Sequence, residues 1–140
     1  MTYKYLEHEA DVGILAIGDS IDHAFVEGAK AMFGVMVELG DVKTVKDIEI
    51  ECNAKDIPAL FVEWLNELIN KRDVEEMFFS EFEVKIEKGE HNYFLTGKAK
   101  GESMNQAKHE IKTEVKAATY SGLKFEEKDN KFYLQCVLDI

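Results

Sequence analysis

The apolar residues of this chain switch repeatedly between a period of 2 and a period near 3.6, which confines it to a mixed fold of sheets and helices. Lys46 to Cys52 alternates, with Ile48, Ile50 and Cys52 on one face and Glu49 and Glu51 on the other, as a half-buried strand does. Glu81 to Lys88 repeats the pattern with Phe82, Val84 and Ile86 inward, turns at Gly89 and returns from Asn92 to Lys100. The run Gly13 to Gly18 (GILAIG) is short and apolar, which suits a buried strand after a short opening one. Two helical stretches separate these strands. Ser20 offers an N-cap, and Ile21, Ala24, Phe25, Gly28, Met32 and Met36 follow at helical spacing, with a stop near Gly40. Asp56 is the second N-cap, and Pro58 sits in the first turn, where a missing N–H does no harm. Ile57, Leu60, Phe61, Trp64, Leu65, Leu68 and Ile69 then form a broad stripe ending at Lys71 and Arg72, cations that suit the negative end of the helix dipole.

In the last third, Ala107, Ile111, Val115 and Ala118 are spaced by four, four and three, which predicts a helix over 105–120 stopped by Gly122. The β-rich stretch VKAATY opposes that reading. Leu123 to Lys128 and Lys131 to Leu138 form a hairpin across Asp129-Asn130. Strand, helix, strand then occurs around Ser20 and again around Lys108. The expected architecture is α+β, a sheet with packed helices built from two related modules. At 140 residues the chain has the length of a single domain, 1–140, or of two interlocked modules.

Charge narrows the function. Seventeen Lys+Arg against 28 Asp+Glu give a net charge of -11, a field that repels phosphate backbones. Arg72 is the only arginine, so bidentate phosphate recognition has little material. Direct nucleic-acid binding is therefore disfavoured, and cations or basic protein surfaces are the natural partners. Cys52 and Cys136 stand singly and far apart, which reads as two small apolar residues of a reducing compartment. Met1 to Tyr5 has no signal pattern, and no apolar run approaches the ~18–20 residues of a membrane span. The expectation is a soluble, cytoplasmic protein with no membrane partner.

Three segments hold chemistry-bearing residues beyond core and surface. His8-Glu9-Ala10-Asp11-Val12-Gly13 gathers a histidine and two carboxylates beside a permissive glycine, oxygen donors of the kind a hard cation needs. A polar turn with Asp11 as a local cap is the bland alternative. The second segment is Asp139-Ile140, directly after a core-like strand, where the Asp139 side chain and the Ile140 α-carboxylate would lie within a residue of each other. Two anions that close repel unless a cation or a proton joins them. Sequence distance does not say whether Asp11 meets Asp139, and a frayed end is the alternative. The third is Glu114 to Tyr120. If helical, it places Lys116, Thr119 and Tyr120 on one face, to meet a phosphate or a partner carboxylate, or simply solvent. His23 and His91 read as surface residues. His109 opens the expected last helix, either exposed or joining a polar site. No glycine-rich phosphate loop, GxSxG elbow or HExxH pair is present.

These segments coincide with a known pattern. YLEHEADVGILAIG near the start, the central WLNEL, HEIKTEVKAATY and the terminal Asp139-Ile140 occur in the order seen in the archease family, which the chain resembles along nearly its whole length. The resemblance implies a strand–helix–strand–strand module with an elaborating insertion, here the helix near 56–72. It also implies a non-enzymatic role: activating the RtcB-class RNA ligase that joins tRNA halves, by promoting its guanylylation and repeated turnover. A divalent metal, calcium with magnesium or manganese as substitutes, is implied at Asp11, Asp139 and the main-chain carboxylate of Ile140. Lys116 is implied as a functional residue near that metal. Glu9 stands where the family commonly has threonine, and Ser121 where histidine often follows the tyrosine, so no role is carried onto Ser121. Two other readings compete: a small metal-dependent phosphoester hydrolase with His8 or Glu9 as base, and an acidic chaperone or adaptor whose metal only pins the C-terminus.

Overall fold

The fold is that of a computed structural model, which describes residues 1–7 and 11–140, Glu7 by its backbone alone. In chain order the elements are β1 (Thr2–Glu7), β2 (Asp11–Gly18), α1 (Ile21–Met36), a single 3₁₀ turn (Leu39–Asp41), β3 (Lys46–Ala54), α2 (Ile57–Glu75), β4 (Met77–Lys88), β5 (Tyr93–Ser103), β6 (Ala117–Lys128) and β7 (Lys131–Asp139). The strands make two antiparallel sheets, ordered β1-β2-β7-β6 and β3-β5-β4. Both helices lie between the sheets, α1 against β2 and β4, α2 against β3 and β6. An α+β fold results, with helices covering one face of each sheet and the other face left to solvent.

Both helices start where the capping residues direct. His23 N–H donates to Ser20 Oγ at 3.1 Å, and Ala59 N–H to Asp56 Oδ1 at 2.8 Å. The two helices meet in one continuous core. Phe25 and Phe61 pack edge to face at 5.3 Å, as do Phe33 and Phe79 at 5.4 Å. Trp64 Nε1–H donates to the Phe25 carbonyl at 3.0 Å, so the indole is buried without stranding its donor. Gly28 is required at this crossing, because a Cβ there would lie 2.4 Å from the Phe61 ring.

The two sheets are built alike. In the unit β3–α2–β4–β5 the first and second strands both pair with the third, giving β3-β5-β4. In the unit β2–α1–β6–β7 the same rule gives β2-β7-β6, with β1 added at the free edge of β2. Each is a strand–helix–strand–strand module, and the second in sequence is inserted between α1 and β6 of the first. The doubling expected from the sequence is therefore present, but its two helices are α1 and α2, not α1 and a helix around Lys108.

The helix expected over 105–120 does not form. Of its four spaced apolar residues, Val115 and Ala118 are buried, whereas Ala107 is exposed and Ile111 is 47 % exposed. Tertiary bonds claim the backbone instead: Lys112 N–H and Thr113 N–H donate to the Met36 and Val35 carbonyls at 2.8 and 3.1 Å. The β-favouring VKAATY stretch then opens β6, overriding the helical spacing. Gly122, at φ 62°, lies in the irregular part of β6 and stops no helix. The hairpin at Asp129-Asn130 forms as expected, with φ 53° and 63°. No helix among the described residues is long and apolar enough to cross a membrane.

Candidate functional site

Asp11 and Asp139 lie far apart in sequence, and the β2–β7 ladder sets them directly opposite each other. Opposed residues of an antiparallel pair project from the same face with Cβ atoms about 4.5–5.5 Å apart. Along these strands Val12, Ile14 and Ala16 face the helices with Leu138, Cys136 and Leu134, so Asp11 and Asp139 point outward to the solvent side. Asp139 is exposed and Asp11 half-buried. Like charges directly opposed destabilise a ladder, and the residue completing this row on β6 is Ala117, which supplies no compensating cation. Ile140 follows with its side chain packed on the core. The donors here are carboxylate oxygens, the class a hard divalent cation takes, though calcium requires 6–8 of them. Among the described residues no three His, Cys, Asp or Glu side chains converge elsewhere or here. His8 and Glu9, the other polar residues expected in this loop, lie outside the described residues.

Lys116 sits beside this pair. Its backbone N–H donates to the Asp139 carbonyl at 2.8 Å, while Ala117 is the registered partner of Asp139. Two consecutive residues therefore lie against Asp139, as in a β-bulge, a device that re-aims side chains next to sites. The Lys116 side chain is exposed. The trio expected on one helical face does not form, because the segment is a strand: the Thr119 hydroxyl donates to the Val137 carbonyl at 2.8 Å, and Tyr120 is 57 % exposed.

Two residues of α2 hold the segment around Lys116, and the sequence reading gave neither this part. Arg72 is buried, and its Nη1 donates to the Val115 carbonyl at 2.7 Å instead of serving the helix dipole in solvent. The Asn66 carboxamide accepts from Ala118 N–H at 2.8 Å and donates to the Ala118 carbonyl at 3.0 Å. The available signals were a lone arginine in an acidic chain and an asparagine beside the apolar stripe of the second helix.

The remaining titratable groups belong to the scaffold. His109 is buried, contrary to a surface position at a helix start. Asn105 N–H donates to its Nδ1 at 3.0 Å, so Nε2 carries the proton and donates to Glu102 Oε2 at 3.1 Å. Bonds from Lys108, from the Lys43 backbone and from His109 hold the Glu102 carboxyl down at about 2. His23 and His91 are exposed, as expected. Cys136 is buried and Cys52 half-buried, both are free thiols, and burial pushes each up to about 12. Beside Asp11 a cleft of about 1220 Å³ opens between β1 and the end of α1, lined by Tyr3, Tyr5, Gly34, Glu38 and Lys112 among others. Tyr5 is fixed there, its hydroxyl donating to the Ala31 carbonyl at 3.0 Å, and burial followed by the neighbouring Tyr3 pushes it up to about 12.

The Archease protein family model matches residues 3–140. A protein archease from Pyrococcus abyssi is 42 % identical over 139 residues, covering 99 % of this chain and 98 % of that one. The protein archease of Methanopyrus kandleri is 34 % identical over the full length of both. Among solved structures, Methanobacterium thermoautotrophicum protein 1598 superposes with a TM-score of 0.86 at 30 % identity, covering 99 % of this chain and 98 % of its own. A Thermotoga maritima protein described as an archease, possible chaperone, shares the fold with a TM-score of 0.62 at 22 % identity, over 98 % and 96 % of the two chains. This chain belongs to the archease family.

Proposed function

We propose that the protein activates an RtcB-class RNA ligase, promoting guanylylation and repeated turnover of the ligase without a reaction of its own. The observation that carries the reading is the unmatched carboxylate row, Asp11 opposite Asp139 on an outward face with the Lys116 backbone bonded to the same Asp139. Membership of the archease family and the net charge of -11 support it, since such a chain addresses a basic partner surface and not nucleic acid directly. Asp11, Asp139 and the main-chain carboxylate of Ile140 would hold a divalent cation, calcium in the first instance, with magnesium or manganese able to replace it. That cation would supply positive charge at the phosphate-binding mouth of the ligase. Lys116 adds a second cation at the edge of the same row, and the two acids give the face its affinity for a basic surface. The work belongs in the cytoplasm, with the ligase as the protein partner.

The test is multiple-turnover ligation by a cognate ligase with and without this protein, beside the Asp139→Ala variant. A rise in turnover that the substitution abolishes is the expected result. Absence of any rise with an active ligase and a folded protein would reject the activator role. A second reading, an acidic chaperone, is favoured by the description of the Thermotoga maritima relative. It predicts that Asp139→Asn lowers thermal stability in calcium yet leaves ligation intact at a permissive temperature. Hydrolysis of phosphoesters by the pure protein would instead support a metal-dependent hydrolase.

A further inference from the structure

β6 is an edge strand, and the outward N–H and C=O of an edge strand ordinarily meet solvent or a further strand. At Ala118 a single side chain replaces that further strand. The Asn66 carboxamide presents one acceptor and one donor, at 2.8 and 3.0 Å, to the N–H and C=O of the same residue. A carboxamide offers both functions in one plane, so one side chain satisfies both backbone groups of Ala118. Three residues earlier, the buried Arg72 guanidinium holds the Val115 carbonyl at 2.7 Å. Lys116 lies between these anchors, tied on its other side by its own N–H to the Asp139 carbonyl at 2.8 Å.

We infer that Asn66 is a positioning residue for Lys116, and that Arg72 sets the same segment from its other end. Residues 115, 116 and 118 are each bonded, so the Lys116 backbone is immobilised while its side chain stays exposed. A long side chain on a fixed backbone reaches a defined volume beside Asp139, and on a loose edge strand it would sweep a larger one, losing the orientation on which a reacting partner depends. Both anchors come from α2, the helix of the inserted module, whereas Lys116, Asp11 and Asp139 all belong to the module that receives the insertion. The insertion therefore acts as the brace of the site. The inference rests on Lys116 having the role proposed above.

The test uses the full chain and its Asn66→Ala, Lys116→Ala and double variants, with Asn70→Ala as a control for an exposed position on the same helix. Asn66→Ala is expected to lower ligase turnover at least tenfold while calcium affinity changes less than twofold, because β2 and β7 carry the carboxylates without it. In the double variant Asn66→Ala is expected to add nothing to Lys116→Ala. Multiplying effects would show that Asn66 acts by another route and would overturn the inference. A second arm needs no ligase: amide exchange at Lys116 should accelerate at least tenfold in Asn66→Ala. Unchanged exchange overturns the inference whatever the ligation result. Failure of the wild-type protein to stimulate ligation counts against the activator reading alone, and the exchange arm still decides the positioning. If Asn66→Ala does not fold, Asn66→Asp keeps the acceptor for Ala118 N–H, removes the donor and should give an intermediate acceleration.

Discussion

The two modules share one pairing rule and differ in what they set across their strands. On the solvent face of β3-β5-β4 two rows set a lysine between acids: Asp47, Lys100 and Glu81 align, as do Glu49, Lys98 and Glu83, with Lys100 Nζ 3.3 Å from Glu83. On the solvent face of β2-β7-β6 the row beside the aspartates, Gly13, Val137 and Thr119, is uncharged, and Ile17 and Val137 are 8 % and 4 % exposed without belonging to the central core. The last row there holds two opposed aspartates and an alanine. At the corresponding end of the other module the last outward row is Asp47, Lys100 and Glu81, with the lysine between the acids. Topology is thus indifferent to chemistry. A lysine between acids leaves a matched, solvated row, and the acids without a lysine between them leave the unmatched row of the candidate site.

The two modules share one core, and the substitution of largest expected effect on it is Phe61→Ala. This substitution opens the contact with Phe25 and should cost about 3–5 kcal/mol in a single unfolding transition. Two transitions in denaturant would show that the modules melt separately. Next is the unmatched row. Calcium at about a hundredfold excess over its Kd should stabilise the wild-type protein by about 2.7 kcal/mol, seen as a rise in Tm. Asp139→Asn should lose that rise and, in chelator, melt slightly above wild type, because the opposed charges are gone. A lower Tm in chelator would contradict the claim that the row is strained by repulsion.

The matched charges of the inserted module give smaller effects. Glu102 is held at about 2, against an ordinary 4.5, first by Lys108, then by the Lys43 N–H and His109. Its folded value is depressed, so its stabilising effect is complete above about pH 4.5 and is lost as pH falls toward 2. Acid titration of Glu102→Gln should show a shallower decline across that window, and an identical decline would remove Glu102 from the acid response. Smallest of all, Lys100→Ala should leave Tm within replicate scatter, because its bridge is open to solvent. A clear drop would mean that the charge ladder of this face bears weight.

Much of the fold was legible because its signals are local. Ser20 and Asp56 cap the helices they precede, Ile48 and Ile50 alternate with acids, and Asp129-Asn130 makes the turn, each fixed by neighbours within a few residues. The stretch 105–120 misled because Ala107 and Ile111 keep helical spacing by coincidence, and spacing carries no record of whether a residue is buried. The part of His109 was equally hidden, since Asn105 and Glu102 close on it only after β5 has turned into the following loop.

By itself, then, the sequence determined the alternation of strands and helices, the net acidic charge, and the residue types available to the candidate site. Only the tertiary structure decided that Asp11 stands opposite Asp139, that Ala117 leaves their row unmatched, and that Asn66 and Arg72 reach across from the inserted module to hold the backbone around Lys116. The physical reason is range. Capping, alternation and turns are set by bonds between near neighbours, whereas strand register joins residues more than a hundred positions apart and depends on how the whole core closes.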